Sequence, residues 1–113
     1  MRPALELPLL PLLLAVLGVA GCKRDGVDPE RKAAAEQAYR SLCARCHGED
    51  GRGGAPVAGV APRNFRDAAF QRARSDDELA HVIKEGKGVM PAFKAVYDDR
   101  QIADLVQVIR GFK

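Results

Sequence analysis

Three residues able to do chemistry lie within five consecutive positions of this chain. In the segment SLCARCHG, residues 41–48, Cys43 and Cys46 are three apart and His47 directly follows the second. Two thiols can form a disulfide or a redox dithiol, thiolates and imidazoles bind zinc, and C-x-x-C-H is a pattern for covalent haem. The surrounding sequence has to separate these four possibilities.

Three of the four possibilities fit poorly. A disulfide between Cys43 and Cys46 would close a very small loop and would give His47 no role. Zinc needs a fourth ligand, and only His81 remains, on a different predicted helix. A redox dithiol of the thioredoxin type is expected beside a β-α-β pattern, whereas this sequence favours helices and glycine-rich loops.

Haem attachment gives all three residues a role. Each thiol can add to one vinyl group of the porphyrin, and the imidazole of the next residue can then reach the iron. We therefore predict one covalently bound haem c, held through Cys43 and Cys46, with His47 as an axial ligand of the iron.

Met90 is the predicted second axial ligand. A thioether is a soft ligand that suits haem iron, and Met1 is the only other methionine. Pro91 favours an extended backbone at Met90, while Gly86 and Gly88 allow the loop to approach the porphyrin closely. The alternative role for Met90 is to fill space in the core.

His81 is the competing ligand. It falls beside the apolar stripe of its predicted helix, next to Val82 and two residues after Leu79. This position predicts an exposed histidine, and bis-histidine ligation stays open as the alternative.

Length and composition predict one small domain. The chain has 113 residues, of which 29% are charged and 47% hydrophobic, as in ordinary folded proteins. Only four Phe and two Tyr are present, without Trp, so the core needs help from a cofactor or cross-link. The net charge of +3 comes from scattered Lys and Arg, and we expect no nucleic-acid partner.

The amino-terminal residues are predicted to be a targeting signal. Arg2 precedes a short apolar stretch, residues 7–20, which ends in VAGC at residues 19–22. This ending resembles the lipobox of bacterial lipoproteins, in which the signal is cut before the cysteine and the sulfur carries a diacylglycerol. The resemblance implies a lipoprotein signal peptide at residues 1–21, a lipid on Cys22 and a lipidated tether at residues 22–28. An ordinary signal peptide or an uncleaved anchor is the alternative.

Helix signals account for most of the remaining chain. Asp28 before Pro29 predicts a helix start, and the helix then runs through Cys46 and ends near Gly48. A capping box at residues 75–78 starts a second helix. The last helix is predicted from residue 98 or 99, with an apolar face formed by Ile102, Leu105, Val106 and Ile109.

Four segments together resemble a class I cytochrome c of the small bacterial, mono-haem type. They are CARCHGEDGRGG, APRNF, GVMPAF and DDRQIADLVQVIRGF. The resemblance implies an all-α fold of three to four helices wrapped around one haem, formed by residues 29–113, in which the first and last helices cross. Val108 departs from the family pattern, which commonly has an aromatic residue at this point.

The segment APRNF, residues 61–65, adds three candidate haem contacts. The resemblance implies that the carbonyl of Pro62 accepts a hydrogen bond from His47. Arg63 and Asn64 are placed to reach a haem propionate, because Arg pairs well with carboxylates; solvent exposure of both is the alternative.

These features predict a carrier of single electrons rather than an enzyme. The expected partners are redox proteins and, through the lipid anchor, the periplasmic side of a bacterial membrane, inner or outer. No nucleophile–base pair or paired carboxylate site is evident, so no small-molecule substrate is expected. A non-catalytic subunit of an oxidase or dehydrogenase, and a haem ligand sensor or peroxidase, are the alternatives.

Overall fold

The computed structural model describes residues 26–113, whose regular elements are all helices. The predicted signal peptide, Cys22 and most of the tether lie outside them. The elements in chain order are α1 (Pro29–Ala38), a π-helical segment (Tyr39–Cys43), α2 (Ala44–His47), α3 (Ala68–Ala73), α4 (Asp76–Glu85) and α5 (Asp99–Gly111). Residues 26–113 contain no strand, only isolated antiparallel bridges between Val57 and Val60 and between Lys87 and Met90. The predicted all-α class is confirmed.

Side-chain caps start the helices where the sequence predicted. Asp28 accepts a hydrogen bond of 2.8 Å from the backbone N–H of Glu30, so α1 begins at Pro29. Ser75 and Glu78 form the predicted reciprocal capping box of α4. Asp98 and its partner Gln101 form a second capping box at α5. A cap of this kind typically contributes about 1 kcal/mol to stability.

The first predicted helix is interrupted by a wider turn. The N–H of Ala44 bonds to the carbonyl of Tyr39, five residues earlier, instead of the usual four. The prediction of one regular helix through Cys46 is wrong in this turn. Single π-helical turns inside helices are frequent at functional sites, and this one ends at Cys43.

Helix α5 packs against both α1 and α4 and supplies much of the core. Its four predicted apolar positions are all buried: Ile102, Leu105, Val106 and Ile109. The same helix buries one carboxylate, Asp104, whose Oδ2 accepts a hydrogen bond of 3.0 Å from Nε of Arg31 in α1. This ion pair joins the first and last helices, because an unpaired buried charge would be costly. Val108 is partly buried against the core.

Aromatic side chains fill the space between α1, the long loop that joins α2 to α3 (residues 48–67) and the carboxyl end of α5. Tyr39 and Phe65 are buried, and the ring of Phe112 lies 5.0 Å from that of Tyr39. Phe112 rests directly on Gly51, where an added Cβ would lie 2.6 Å from the ring and where φ is +74°. Only glycine fits this position without displacing the aromatic ring.

Candidate haem-attachment site

The two cysteines of the motif are held by consecutive helical segments. Cys43 ends the π-helical segment and Cys46 lies in α2, and both are free thiols of intermediate exposure. Burial and, to a lesser degree, the neighbouring Cys46 raise the pKa of Cys43 to about 11. A thiol held in its protonated form is less suited to metal binding, which needs the thiolate. In residues 26–113, no group of three or more His, Cys, Asp or Glu side chains is placed to hold a metal ion.

The imidazole of His47 is held in the form that a metal ligand requires. Its Nδ1 lies 3.2 Å from the carbonyl oxygen of Arg63. A carbonyl only accepts, so Nδ1 carries the proton and the lone pair of Nε2 remains available. Burial lowers the pKa of His47, against the opposing effect of the hydrogen bond to Arg63. The ring is therefore favoured in its neutral form.

The carbonyl that holds His47 differs by one residue from the prediction. Pro62 was expected to accept this hydrogen bond, and the structure gives that role to Arg63. The carbonyl of Pro62 is directed instead at the backbone of Gly53, where an added Cβ would lie 3.0 Å from the carbonyl oxygen. The predicted role of Pro62 is thus wrong, although a backbone carbonyl of the same segment performs it.

The side chains of Arg63 and Asn64 point to other neighbours. The guanidinium carbon of Arg63 lies 5.8 Å from the ring centroid of Phe70. The amide oxygen of Asn64 accepts a hydrogen bond of 2.9 Å from the N–H of Arg66 and shapes a local turn. Both residues are exposed, and their contact with a haem propionate stays a prediction.

The loop that carries Met90 is fixed to α4. Lys87 and Met90 exchange two backbone hydrogen bonds of 3.0 Å, which close a tight turn. The N–H of Phe93 donates to the carbonyl of Ile83 in α4, also at 3.0 Å. At Gly86, with φ of +76°, an added Cβ would lie 2.7 Å from the carbonyl oxygen of Met90. Met90 itself is partly buried against the core.

His81, the competing ligand, is exposed on α4, as its position beside the apolar stripe predicted. Its ring is therefore not part of the packed interior that includes Met90. This arrangement favours the methionine.

Two aromatic contacts at the site were not predicted. The ring of Phe65 stacks on the imidazole of His47, with centroids 4.4 Å apart and planes inclined by 20°. The hydroxyl of Tyr39 donates a hydrogen bond of 2.8 Å to the carbonyl of Gly48, the residue after His47. A sequence signal existed for Phe65, because it is the one aromatic residue of the long polar and glycine-rich segment that follows the motif.

Two further features lie apart from this site. A groove of about 240 Å³ between α1 and α5 is bordered by Arg31, Tyr97 and Asp104 and contains none of the predicted site residues. None of the helices in residues 26–113 is long and apolar enough to cross a membrane.

Comparison with known proteins finds relatives that match most of the chain. Residues 30–109 match the family described as cytochrome c oxidase, cbb3-type, subunit III. The chain belongs to this family of c-type cytochromes.

Its relatives include both larger and similarly sized proteins. The cytochrome c domain is 34% identical over 88 residues to the cbb3-type cytochrome c oxidase subunit FixPc of Rhizobium leguminosarum bv. viciae, a match covering 77% of this chain and 30% of that protein. It is 35% identical to cytochrome c4 of Pseudomonas aeruginosa over 86% of this chain and 44% of that protein. The chain thus spans less than half the length of these two relatives. The solved c-type cytochrome KustC0563 is 35% identical with a TM-score of 0.65, over 70% of this chain and 96% of that one.

The residues present fit the haem c that this family carries. The family is one of c-type cytochromes, which bind haem c covalently, and a domain of this size accommodates one haem, which confirms the predicted cofactor. Two free thiols, a neutral imidazole with an available Nε2 and a thioether on an ordered loop are a suitable donor set. When bound, the haem supplies one-electron redox chemistry.

Proposed function

We propose that this cytochrome c domain is a membrane-anchored carrier that passes single electrons between redox enzymes on the periplasmic side of a bacterial membrane. In this proposal Cys43 and Cys46 form the thioether bonds, and His47 and Met90 are the axial ligands. The observation that carries it most strongly is the hydrogen bond from His47 to Arg63, which leaves Nε2 available beside the two thiols.

A fast electron carrier needs ligands that move little between oxidation states. His47 is held through its ring by Arg63, and the Met90 turn is tied to α4 through Phe93. Hydrogen bonds of this type fix the orientation of a ligand and tune its basicity. Both proposed ligands are thus supported by backbone contacts that do not depend on mobile surface side chains.

Arg45 is the proposed partner contact nearest to the attachment site. It is exposed between the two cysteines and makes no ion pair within residues 26–113. An exposed cation near the site of electron transfer attracts an acidic partner and raises the association rate, especially at low salt.

Direct measurement of electron transfer tests the carrier function. The protein is produced in a host with haem-ligation machinery, reduced, freed of reductant and mixed with membranes that contain a cbb3-type oxidase. We expect oxidation of one electron per haem, blocked by cyanide. Arg45→Gln should slow the reaction at low salt, whereas Arg100→Gln, an exposed arginine at the α1–α5 groove, should not. If membranes with respiratory redox enzymes do not oxidise the reduced wild-type protein, the proposal is contradicted.

A permanent oxidase subunit is the second candidate function. The family match, and the name of the FixPc relative, favour it. A free carrier should migrate alone on a native gel of mildly solubilised membranes, and a subunit should migrate with a larger complex. The sensor or peroxidase alternative requires an open iron position, so rapid carbon monoxide binding by the wild type would support that alternative.

The membrane anchor is proposed from the sequence, because Cys22 lies outside the described residues. Mass spectrometry of the mature protein should find an acylated amino-terminal Cys22. Cys22→Ser should move the protein to the soluble fraction or leave it unprocessed. An unmodified amino terminus elsewhere in an exported protein would exclude lipidation.

A further inference from the structure

We propose that Phe65 is a positioning residue for His47. The phenyl ring fixes the rotation of the imidazole about its bond to the haem iron and so sets the electronic asymmetry of the ferric haem. This inference rests on the proposed role of His47 as an axial ligand.

A contact on the ring face restrains rotation of the His47 imidazole in a way that its hydrogen bond does not. The hydrogen bond from Nδ1 to Arg63 restrains one edge of the ring. The bond from Nε2 to iron lies near the opposite edge, so these two bonds together restrain rotation of the ring plane weakly. Phe65 lies against the face, with centroids 4.4 Å apart and planes within 20° of parallel. Rotation of the imidazole would drive its edge into the phenyl ring.

Phe65 is rigid enough to impose this orientation. Its N–H donates to the carbonyl of Gly51 at 2.7 Å, and its own carbonyl accepts from Nε2 of Gln71 at 2.7 Å. The same Nε2 of Gln71 also donates to the carbonyl of Ile109 in α5 at 3.0 Å. The backbone of Phe65 is therefore tied to the long loop, to α3 and to α5.

The phenyl ring is also enclosed by other aromatic rings. Phe65 is 5% exposed. The ring of Tyr39 meets it edge-on at 6.4 Å, and that of Phe112 stacks at 6.2 Å. A ring packed on several sides cannot turn to follow a moving imidazole, so the imidazole adopts the angle that the phenyl ring allows.

The orientation of an axial imidazole has a direct spectroscopic consequence. In low-spin ferric haem, the imidazole plane selects which iron orbital holds the unpaired electron. Together with the orientation of the second axial ligand, this choice sets the order and spread of the four haem-methyl proton shifts and the g values. A residue that fixes the plane is therefore visible in these spectra even where it leaves ligand identity unchanged.

The experiment compares Phe65→Leu with Phe70→Leu in the holoprotein. Both substitutions remove an aromatic ring from the same cluster, and the Phe70 ring lies 6.1 Å from that of Phe65. We expect Phe65→Leu to change the order or spread of the haem-methyl shifts and the g values. Phe70→Leu should lower the melting temperature and leave both spectra as in the wild type. Unchanged spectra in Phe65→Leu, or the same change in both variants, would overturn the inference.

A measurement on the wild type covers the case in which Phe65→Leu does not fold. In the ferrous, diamagnetic protein, nuclear Overhauser contacts should join the Phe65 ring protons to those of His47. Their absence would also overturn the inference. If the His47 ring protons lack the large haem ring-current shift of a ligand, the axial-ligand assignment fails instead, which is a distinguishable result.

Discussion

At the scale of single residues, two contacts restrain the imidazole of His47 and a third restrains the backbone next to it. Arg63 accepts a hydrogen bond from its Nδ1, Phe65 covers its face, and Tyr39 holds the carbonyl of the following residue, Gly48. Burial raises the pKa of Tyr39, so its hydroxyl keeps the proton that this bond needs. Each contact restrains a different motion, and together they hold His47 in a fixed position before haem binds.

The first prediction concerns the second axial ligand. Replacing Met90 by alanine removes the proposed thioether, so the weak near-infrared sulfur-to-iron band of the oxidised protein should disappear. The reduced variant should then bind carbon monoxide readily, because an iron position has opened, and its reduction potential should fall.

His81→Ala is the control for this prediction. His81 is exposed on α4, so its replacement should leave the spectrum unchanged. If His81→Ala changes the ligand band and Met90→Ala does not, the haem has two histidine ligands.

The functional residues could be predicted from the sequence where they lie next to one another in the chain. Cys43, Cys46 and His47 form one contiguous pattern, so the sequence alone pointed to them. The carbonyl that holds His47 was misplaced by one residue, because its direction depends on the backbone angles and not on the residue type. Phe65 was missed because the path of the long loop, which brings it back onto His47, is not evident from the sequence.

At the scale of elements, the structure places the two halves of the site on separate supports. The attachment cysteines and His47 belong to one run of helical segments, whereas Met90 belongs to a turn docked on the end of α4. The close approach of backbone at Gly86 connects α4 with that turn. The position of the proposed ligand therefore depends on a glycine at the helix end as well as on the hydrogen bonds of the turn.

The second prediction uses two glycines of this turn as a matched pair. Gly86 and Gly88 both have positive φ, so alanine strains the backbone at either position, by about 1–2 kcal/mol. Only at Gly86 does an added Cβ also meet the Met90 carbonyl, at 2.7 Å; at Gly88 nothing lies within 4 Å. Gly86→Ala should thus weaken the near-infrared band, whereas Gly88→Ala should lower the melting temperature and keep the band. Equal loss of the band in both would refute a specific role for Gly86.

Element prediction succeeded where caps and periodicity agreed. Both predicted α4 and α5, whose caps are as expected; the predicted apolar face of α5 is buried, whereas in α4 Leu79 and Ile83 are buried and Val82 is partly exposed. Helix α3 was not predicted, because its six residues are too few to show a clear apolar period. The π-helical segment was also missed, since no residue type marks a turn widened by one residue.

At the scale of the whole molecule, the chain has few aromatic residues with which to build a core, although its total hydrophobic content is ordinary. Its buried aromatic residues are Tyr39 and Phe65, and the core is otherwise built from aliphatic side chains of α4 and α5. Small domains of this kind commonly depend on a metal, cofactor or cross-link for stability. The haem is expected to add apolar mass to this core, and the thioether bonds to keep it in place.

The last prediction follows from this dependence. In Cys43→Ser/Cys46→Ser, no thioether bond can form, so the haem should leave the chain under denaturing conditions and the gel band should be colourless. The native variant should also lose most of its helical circular dichroism, because the remaining core is small.

Cys22→Ser is the control, since that cysteine lies outside the C-x-x-C-H segment and its replacement should preserve the gel colour. Either single variant should keep one thioether bond and an intermediate melting temperature. A double variant that retained its colour in the denaturing gel would show that the haem is attached elsewhere, and one that melted like the wild type would show that the polypeptide core suffices without the covalent bonds.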